Sequence, residues 1–185
     1  MTVRRLAAGL LGLLFTASCG GGGGGGGGGV PAMTCAGVAA SATDLVRFDC
    51  PASSGSPMAV AVRIGPTSSQ DIYLVKFDVI FDPAVVAFDP PAIEGNFLDQ
   101  GGVQTLMEAG TQSNDPTRLV VSITRVGNVS GVGVTGAERT VITLPFRGLS
   151  TGATTLTFAN TQALDSGGAS VASLQFGGHV DLTSP

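Results

Sequence analysis

From Ile72 to Asp82 the chain reads Ile-Tyr-Leu-Val-Lys-Phe-Asp-Val-Ile-Phe-Asp, with Tyr73, Val75, Phe77, Val79 and Phe81 at every second position and Lys76 and Asp78 between them. Successive side chains of an extended backbone leave on opposite faces, so a period of two is a strand that turns its rings to a core and its charges away. The alternation returns at Leu119, Val121 and Ile123 against Ser122 and Thr124, and at Ile142, Leu144 and Phe146 against Thr143, Pro145 and Arg147. Leu156 with Phe158, Leu174 with Phe176, and Val180 with Leu182 repeat it, and Met58–Ile64 and Val85–Phe88 are shorter candidates. No stretch keeps an i, i+3, i+4 apolar pattern for three turns; Val103–Ala109 is ambiguous and is read as strand. Seven to nine strands at this spacing, each followed by turn residues, predict an all-β domain of two antiparallel sheets packed about 10 Å apart.

The N-terminus carries different information. A cationic head, Met1-Thr-Val-Arg-Arg5, precedes an apolar run from Leu6 to Phe15. The run is about half the roughly 20 residues that cross a bilayer, so residues 1–18 read as an export signal. Thr16-Ala-Ser-Cys19 resembles the lipobox of bacterial lipoproteins, in which the leader is cut before the cysteine and its thiol is acylated; Thr16 stands where that family prefers leucine. The resemblance implies lipidation at Cys19, with ordinary secretion as the alternative. Gly20 to Gly29 cannot bury side chains, so residues 19–32 read as a lipid-site cysteine on a poly-glycine tether spanning roughly 17 to 19 Å. Gly20 lacks the aspartate associated in enteric bacteria with inner-membrane retention, so the expected location is the cell envelope at the outer membrane.

Three cysteines is an odd count for an exported chain. With Cys19 assigned to lipid, Cys35 and Cys50 remain as a pair within an N-terminal segment, 33–57, that precedes the domain at 58–185. A bridge there would stabilise by about 3 kcal/mol; two free thiols are the alternative. The formal net charge is −4, and the only cluster of basic residues lies in the leader, so no nucleic-acid partner is expected.

Several stretches carry a family resemblance. Phe77-Asp-Val-Ile-Phe-Asp-Pro-Ala-Val-Val-Ala-Phe88 resembles the early strand, Asp-Pro turn and following strand of cohesin domains, the receptor modules of cellulosomes. Arg118–Arg125, Gly131–Gly136 and Thr140–Phe146 follow the family's order of strand, small-residue turn and strand, and Gly177–Leu182 is similar to its last strand. The resemblance implies a jelly-roll β-sandwich of about nine strands, shared with certain cellulose-binding modules. It also implies a non-catalytic surface module that captures a dockerin-type protein in polysaccharide catabolism, or alternatively one that binds polysaccharide itself.

Motifs suggestive of chemistry lack their scaffolds. Gly131-Val-Gly-Val-Thr-Gly136 spells a dinucleotide fingerprint, but a strand pattern follows it where a helix N-terminus would have to meet a pyrophosphate. Gly148-Leu-Ser-Thr-Gly152 spells a nucleophile elbow, with Asp165 and His179 in hydrolase order, yet again a strand pattern follows. One histidine and two paired cysteines give no zinc set, and no metal site is assigned. No cofactor is expected, with calcium through Asp78, Asp82, Asp89 or Asp99 as the open alternative, although nothing spaces them like an EF-hand loop. Sugar stacking needs exposed rings, whereas the chain has no tryptophan, one tyrosine, and phenylalanines mostly on core faces, leaving Phe48, Phe88 and Phe97 as candidates. A protein partner asks only for polar outward residues and a few anchors. The outward set is Lys76, Asp78, Ser122 and Thr124, with Arg125 at the strand end. Leu74 and Lys76 depart from the small polar residues that many dockerin-binding cohesins carry there.

Overall fold

The computed structural model describes residues 32–185. The expectations for the leader, Cys19 and nearly all of the tether lie outside the described residues. Thirteen strands follow one another: β1 Met33–Ala36, β2 Leu45–Asp49, β3 Ser54–Gly55, β4 Met58–Ile64, β5 Leu74–Ile80, β6 Val86–Phe88, β7 Ile93–Glu94, β8 Thr105–Gln112, β9 Asp115–Arg125, β10 Arg139–Gly148, β11 Gly152–Leu164, β12 Gln175–Gly177 and β13 Val180–Ser184. Nine of them have four residues or more, and Val103–Ala109, the ambiguous stretch, falls largely in β8.

The strands form a seven-stranded sheet in the order β3-β1-β13-β11-β5-β9-β8, and a second sheet in the order β12-β2-β4-β10-β6, with β7 also on β10. The sheets pair antiparallel as expected, save where β12 runs parallel to β2. One sequence expectation is corrected. Residues 33–57 are not a segment preceding the domain: β1 pairs with β13 in one sheet and β2 with β4 in the other, and Met33, Val46 and Phe48 are core residues. The alternations that place them, Met33/Cys35 and Val46/Phe48, are short, but they have the same period as the longer strands.

Phenylalanines close the space between the sheets. Phe48 of β2 stacks on Phe158 of β11 with centroids 4.0 Å apart, and Phe77 and Phe176 meet the same ring at an angle. Phe81 and Phe88 flank Phe146 of β10 in a second cluster. Phe97 is fully buried as well.

Pro145 sits inside β10 without breaking the sheet, for a physical reason. In a strand the N–H and C=O of one residue point the same way, and the Pro145 carbonyl accepts from the Asp89 N–H at 2.9 Å, on the side where β6 and β7 leave a gap between them. The missing donor therefore falls on an interrupted edge rather than in a continuous ladder.

Cys35 and Cys50 form a disulfide with Cα atoms 6.0 Å apart, tying β1 to the residue that follows β2 and so one sheet to the other. With a sequence separation of 15, its loss is expected to cost about 3 kcal/mol. Cys35→Ser/Cys50→Ser should therefore melt about 6 to 12 °C lower than the parent in a thermal scan. An unchanged midpoint would mean that β1 is held by its pairing alone.

Candidate functional site

The strand registers lay out the outward face of β8, β9, β5 and β11 as rows. Leu106, Thr124, Leu74 and Leu164 form the first row. Glu108, Ser122, Lys76 and Gln162 form the second, and Gly110, Val120, Asp78 and Ala159 the third. Neighbouring strands lie about 4.8 Å apart, so Lys76 and Glu108 stand about 10 Å apart across Ser122.

The rows differ in chemistry. Leu106 is 56 % exposed, and Val126, just beyond β9, is exposed too, which gives one end of the face an apolar character. Lys76 and Glu108 are exposed, and among the described residues neither takes part in an ion pair. At the other end the groups are tied down. Arg118 pairs with Asp78 at 2.9 Å and with Asp115 at 3.2 Å, and Asn160 donates to Asp78 at 2.6 Å.

That last contact depends on a β-bulge. The β11–β5 register shifts between Ala159 and Gln162, and Asn160 adopts φ 47°, a left-handed conformation that asparagine tolerates better than most residues. The extra residue reverses the parity of β11, so that Leu156 and Phe158 face the core before the bulge and Ala163 after it. Lys76, Asp78, Gln112, Arg118, Val120, Asn160 and Gln162 line a depression of about 250 Å³.

The structure thus brings Lys76, Asp78, Ser122 and Thr124 to one face, but it separates them by role. Lys76 is exposed and in no ion pair among the described residues, whereas Asp78 is 3 % exposed and already neutralised by Arg118. Arg125 does not belong to the face. It follows Ile123 in the core-facing parity, is 5 % exposed, and donates from its guanidinium to the carbonyls of Leu98 and Gln100 (3.1 Å to the latter). A charged residue at a strand end read as surface; its burial is explained by two loop carbonyls that need donors. Sequence reasoning missed Glu108, Leu106, Arg118 and Asn160. The parity break between Phe158 and Ala163 was the available sign of the bulge.

The other candidates have structural employment. Ser150 donates to the Ala84 carbonyl at 2.6 Å. Asp165 accepts from the N–H groups of Gly167 and Ala169 in a turn. These two residues flank opposite ends of β11, roughly 40 Å apart at the rise of a strand, and His179 precedes β13, whose Val180 pairs with Leu156 partway along β11. Gly131 donates its N–H to Asp71, whose carboxyl is held below its ordinary range by the Ser166 hydroxyl and by that N–H. Among the described residues no three His, Cys, Asp or Glu side chains are grouped to hold a metal ion. Asp82 caps a turn by accepting from the Ala84 N–H, and Asp89 lies 3.6 Å from Arg147.

No protein-family model and no curated protein matches the chain. Solved structures do match. The second type II cohesin module from an adaptor scaffoldin of Acetivibrio cellulolyticus superposes with a TM-score of 0.54 at 14% identity, over 71% of this chain and 84% of that one. A type II cohesin-X-dockerin complex from the same organism gives 0.53 at 14% identity, over 72% and 92%. A type II cohesin domain from its cellulosome gives 0.52 at 14% identity, over 80% and 94%. The chain therefore has the jelly-roll sandwich fold of cohesin modules.

Proposed function

We propose that this chain is a non-catalytic binding module that captures a dockerin-type protein on the outward face of β8, β9, β5 and β11. The observation that carries the reading is the exposed pair Lys76 and Glu108, each without an ion-pair partner among the described residues, set beside the exposed Leu106. An apolar anchor next to uncommitted charges of both signs is the composition of a protein-recognition patch. The cohesin fold and the dockerin named with one of its solved examples support the partner class.

A polysaccharide partner is less well served. Ring stacking needs aromatic faces in solvent, and among the described residues the exposed large apolar side chains are Val38, Ile93, Leu106, Val126 and Leu149, none of them aromatic. The Tyr73 hydroxyl is engaged with the Gly127 carbonyl at 2.8 Å. The export signal and the lipobox-like Thr16–Cys19 support placing the module outside the cytoplasm, held at the envelope through an acylated Cys19.

Binding of the full chain to dockerin-bearing proteins, followed by calorimetry, tests this directly. Lys76→Glu with Leu106→Asp should weaken the complex at least tenfold, on the order of 1.4 kcal/mol or more, without moving the unfolding midpoint. Ile93→Asp, on the other sheet, should leave binding intact. Affinity that is indifferent to the double change, or depletion by insoluble polysaccharide in place of protein binding, would refute the assignment.

A further inference from the structure

The two sheets have four edges, and three of them are blunted. One ends in β3, of two residues, and another in β12, of three. The third is divided between β6 and β7, of three and two residues, with Pro90 and Pro91 between them. The fourth is β8, eight residues long, Thr-Leu-Met-Glu-Ala-Gly-Thr-Gln, with no proline, lysine or arginine. An edge strand presents a row of unpaired N–H and C=O groups, and natural sheets protect such rows by shortness, proline or charge. Only Glu108 guards this one.

We infer that β8 is a homodimerisation edge, pairing antiparallel with β8 of a second copy about a two-fold axis at Ala109. Overlap, face parity and charge select the register, since only axes at Glu108 and Ala109 pair seven residues of β8. Directly opposed residues must share a face, and an axis at Glu108 would set two carboxylates against each other, which is destabilising. With the axis at Ala109, Glu108 lies opposite Gly110, which has no side chain, Leu106 lies opposite Gln112, and on the inner face Met107 lies opposite Thr111. Met107 and Ala109 are half-buried and already pack on the core, so the second strand extends an existing apolar layer. The central residues are small, and a Cβ added at Gly110 meets nothing within 4 Å, so the outward face there has room for the Glu108 side chain of the second copy. Of the seven residue pairs, the three that join Met107, Ala109 and Thr111 exchange two hydrogen bonds each, about six in all over roughly 23 Å. Such a contact falls short of the 1,200 Å² or more of a stable interface, so the dimer forms at high concentration and dissociates on dilution.

Sedimentation velocity of the full chain between about 5 µM and 0.5 mM reads the association. The expected result is a shift from monomer toward dimer mass across that range. Each dimer holds two Glu108–Gly110 pairs, so Gly110→Lys should tighten and Gly110→Glu should loosen the association, each by roughly 2- to 30-fold. Monomer mass throughout would overturn the inference, as would a dimer indifferent to both changes or one that Gly110→Lys weakens. Dimerisation is separable from the proposed function: Lys76→Glu alone changes β5 and not the edge, so loss of dockerin binding in that variant leaves this readout untouched.

Discussion

Phe77→Ala should lower the unfolding free energy by about 3 to 5 kcal/mol, enough to bring the melting temperature down by about 6 to 20 °C. Phe77 is fully buried on β5, and β5 lies between β11 and β9 within the larger sheet. Its ring meets Phe158 edge-on at 5.3 Å and Phe176 at 6.0 Å, and Phe158 in turn stacks on Phe48 from the opposite sheet. Removing it leaves a void bounded by two rings, Phe158 and Phe176, anchored on different strands, which cannot collapse together to fill it. Aromatic pairs of this kind add about 0.5 to 1.5 kcal/mol beyond area burial. Urea unfolding is the measurement. Phe77→Leu should cost markedly less, and a Phe77→Ala effect below about 1 kcal/mol would mean that the rings are not a cooperative core.

Arg47→Ala is the second large effect, and its origin is electrostatic. Arg47, nearly buried on the outer side of β2, donates to Glu138 through Nε at 2.9 Å and Nη2 at 2.6 Å, and lies 3.3 Å from Asp49. Asp49 is also 2.9 Å from Arg63. Without Arg47, Glu138 loses its paired guanidinium in a site that is mostly withdrawn from water, at a cost of roughly 2 to 4 kcal/mol, below the fully buried case because the carboxylates keep some exposure. Replacing both partners, as Arg47→Met with Glu138→Met, should restore most of that loss, since no charge is then stranded. The same pair sets an acid limit. The Arg47 guanidinium beside Glu138 holds its carboxyl below the ordinary glutamate range, and hydrogen bonding to Glu138 raises Arg47. A carboxyl whose folded pKa is depressed contributes its full stabilisation above the unfolded pKa, about pH 4 to 5, and loses it as pH falls through the folded value. Stability against urea should therefore fall below about pH 4.5 in the parent, and Glu138→Gln should be less stable at pH 7 with a shallower acid decline. A parallel decline in both would remove Glu138 from the account.

What could be read in advance followed the length of the alternation. β5, β9 and β10 repeat their pattern over seven residues or more, and their inward faces were legible as Val75, Phe77 and Val79, or Leu119, Val121 and Ile123. β1 and β2 have four and five residues, too few for a period to separate from loop composition, so their place in the sheets came only from long-range pairing. The face was legible in part. Parity alone set Lys76, Asp78, Ser122 and Thr124 outward, but parity does not report that Arg118, forty residues from Asp78, consumes that carboxylate. Nor does it foresee that Arg125 turns inward to two carbonyls. Both outcomes depend on contacts between segments far apart in the chain, which one-dimensional spacing does not encode.

The ends of the described chain have a bearing on how such a module would be displayed. Met33 aligns with Ser184 and Gly152, and the Thr151 hydroxyl donates to the Pro185 carbonyl at 2.9 Å, so entry and exit lie together at the start of β11. The leucine row lies at its far end, by Leu164, roughly 40 Å away. A chain held from either terminus would therefore be gripped like a torch by its base, with the leucine row directed away from the point of attachment, whichever end is fastened.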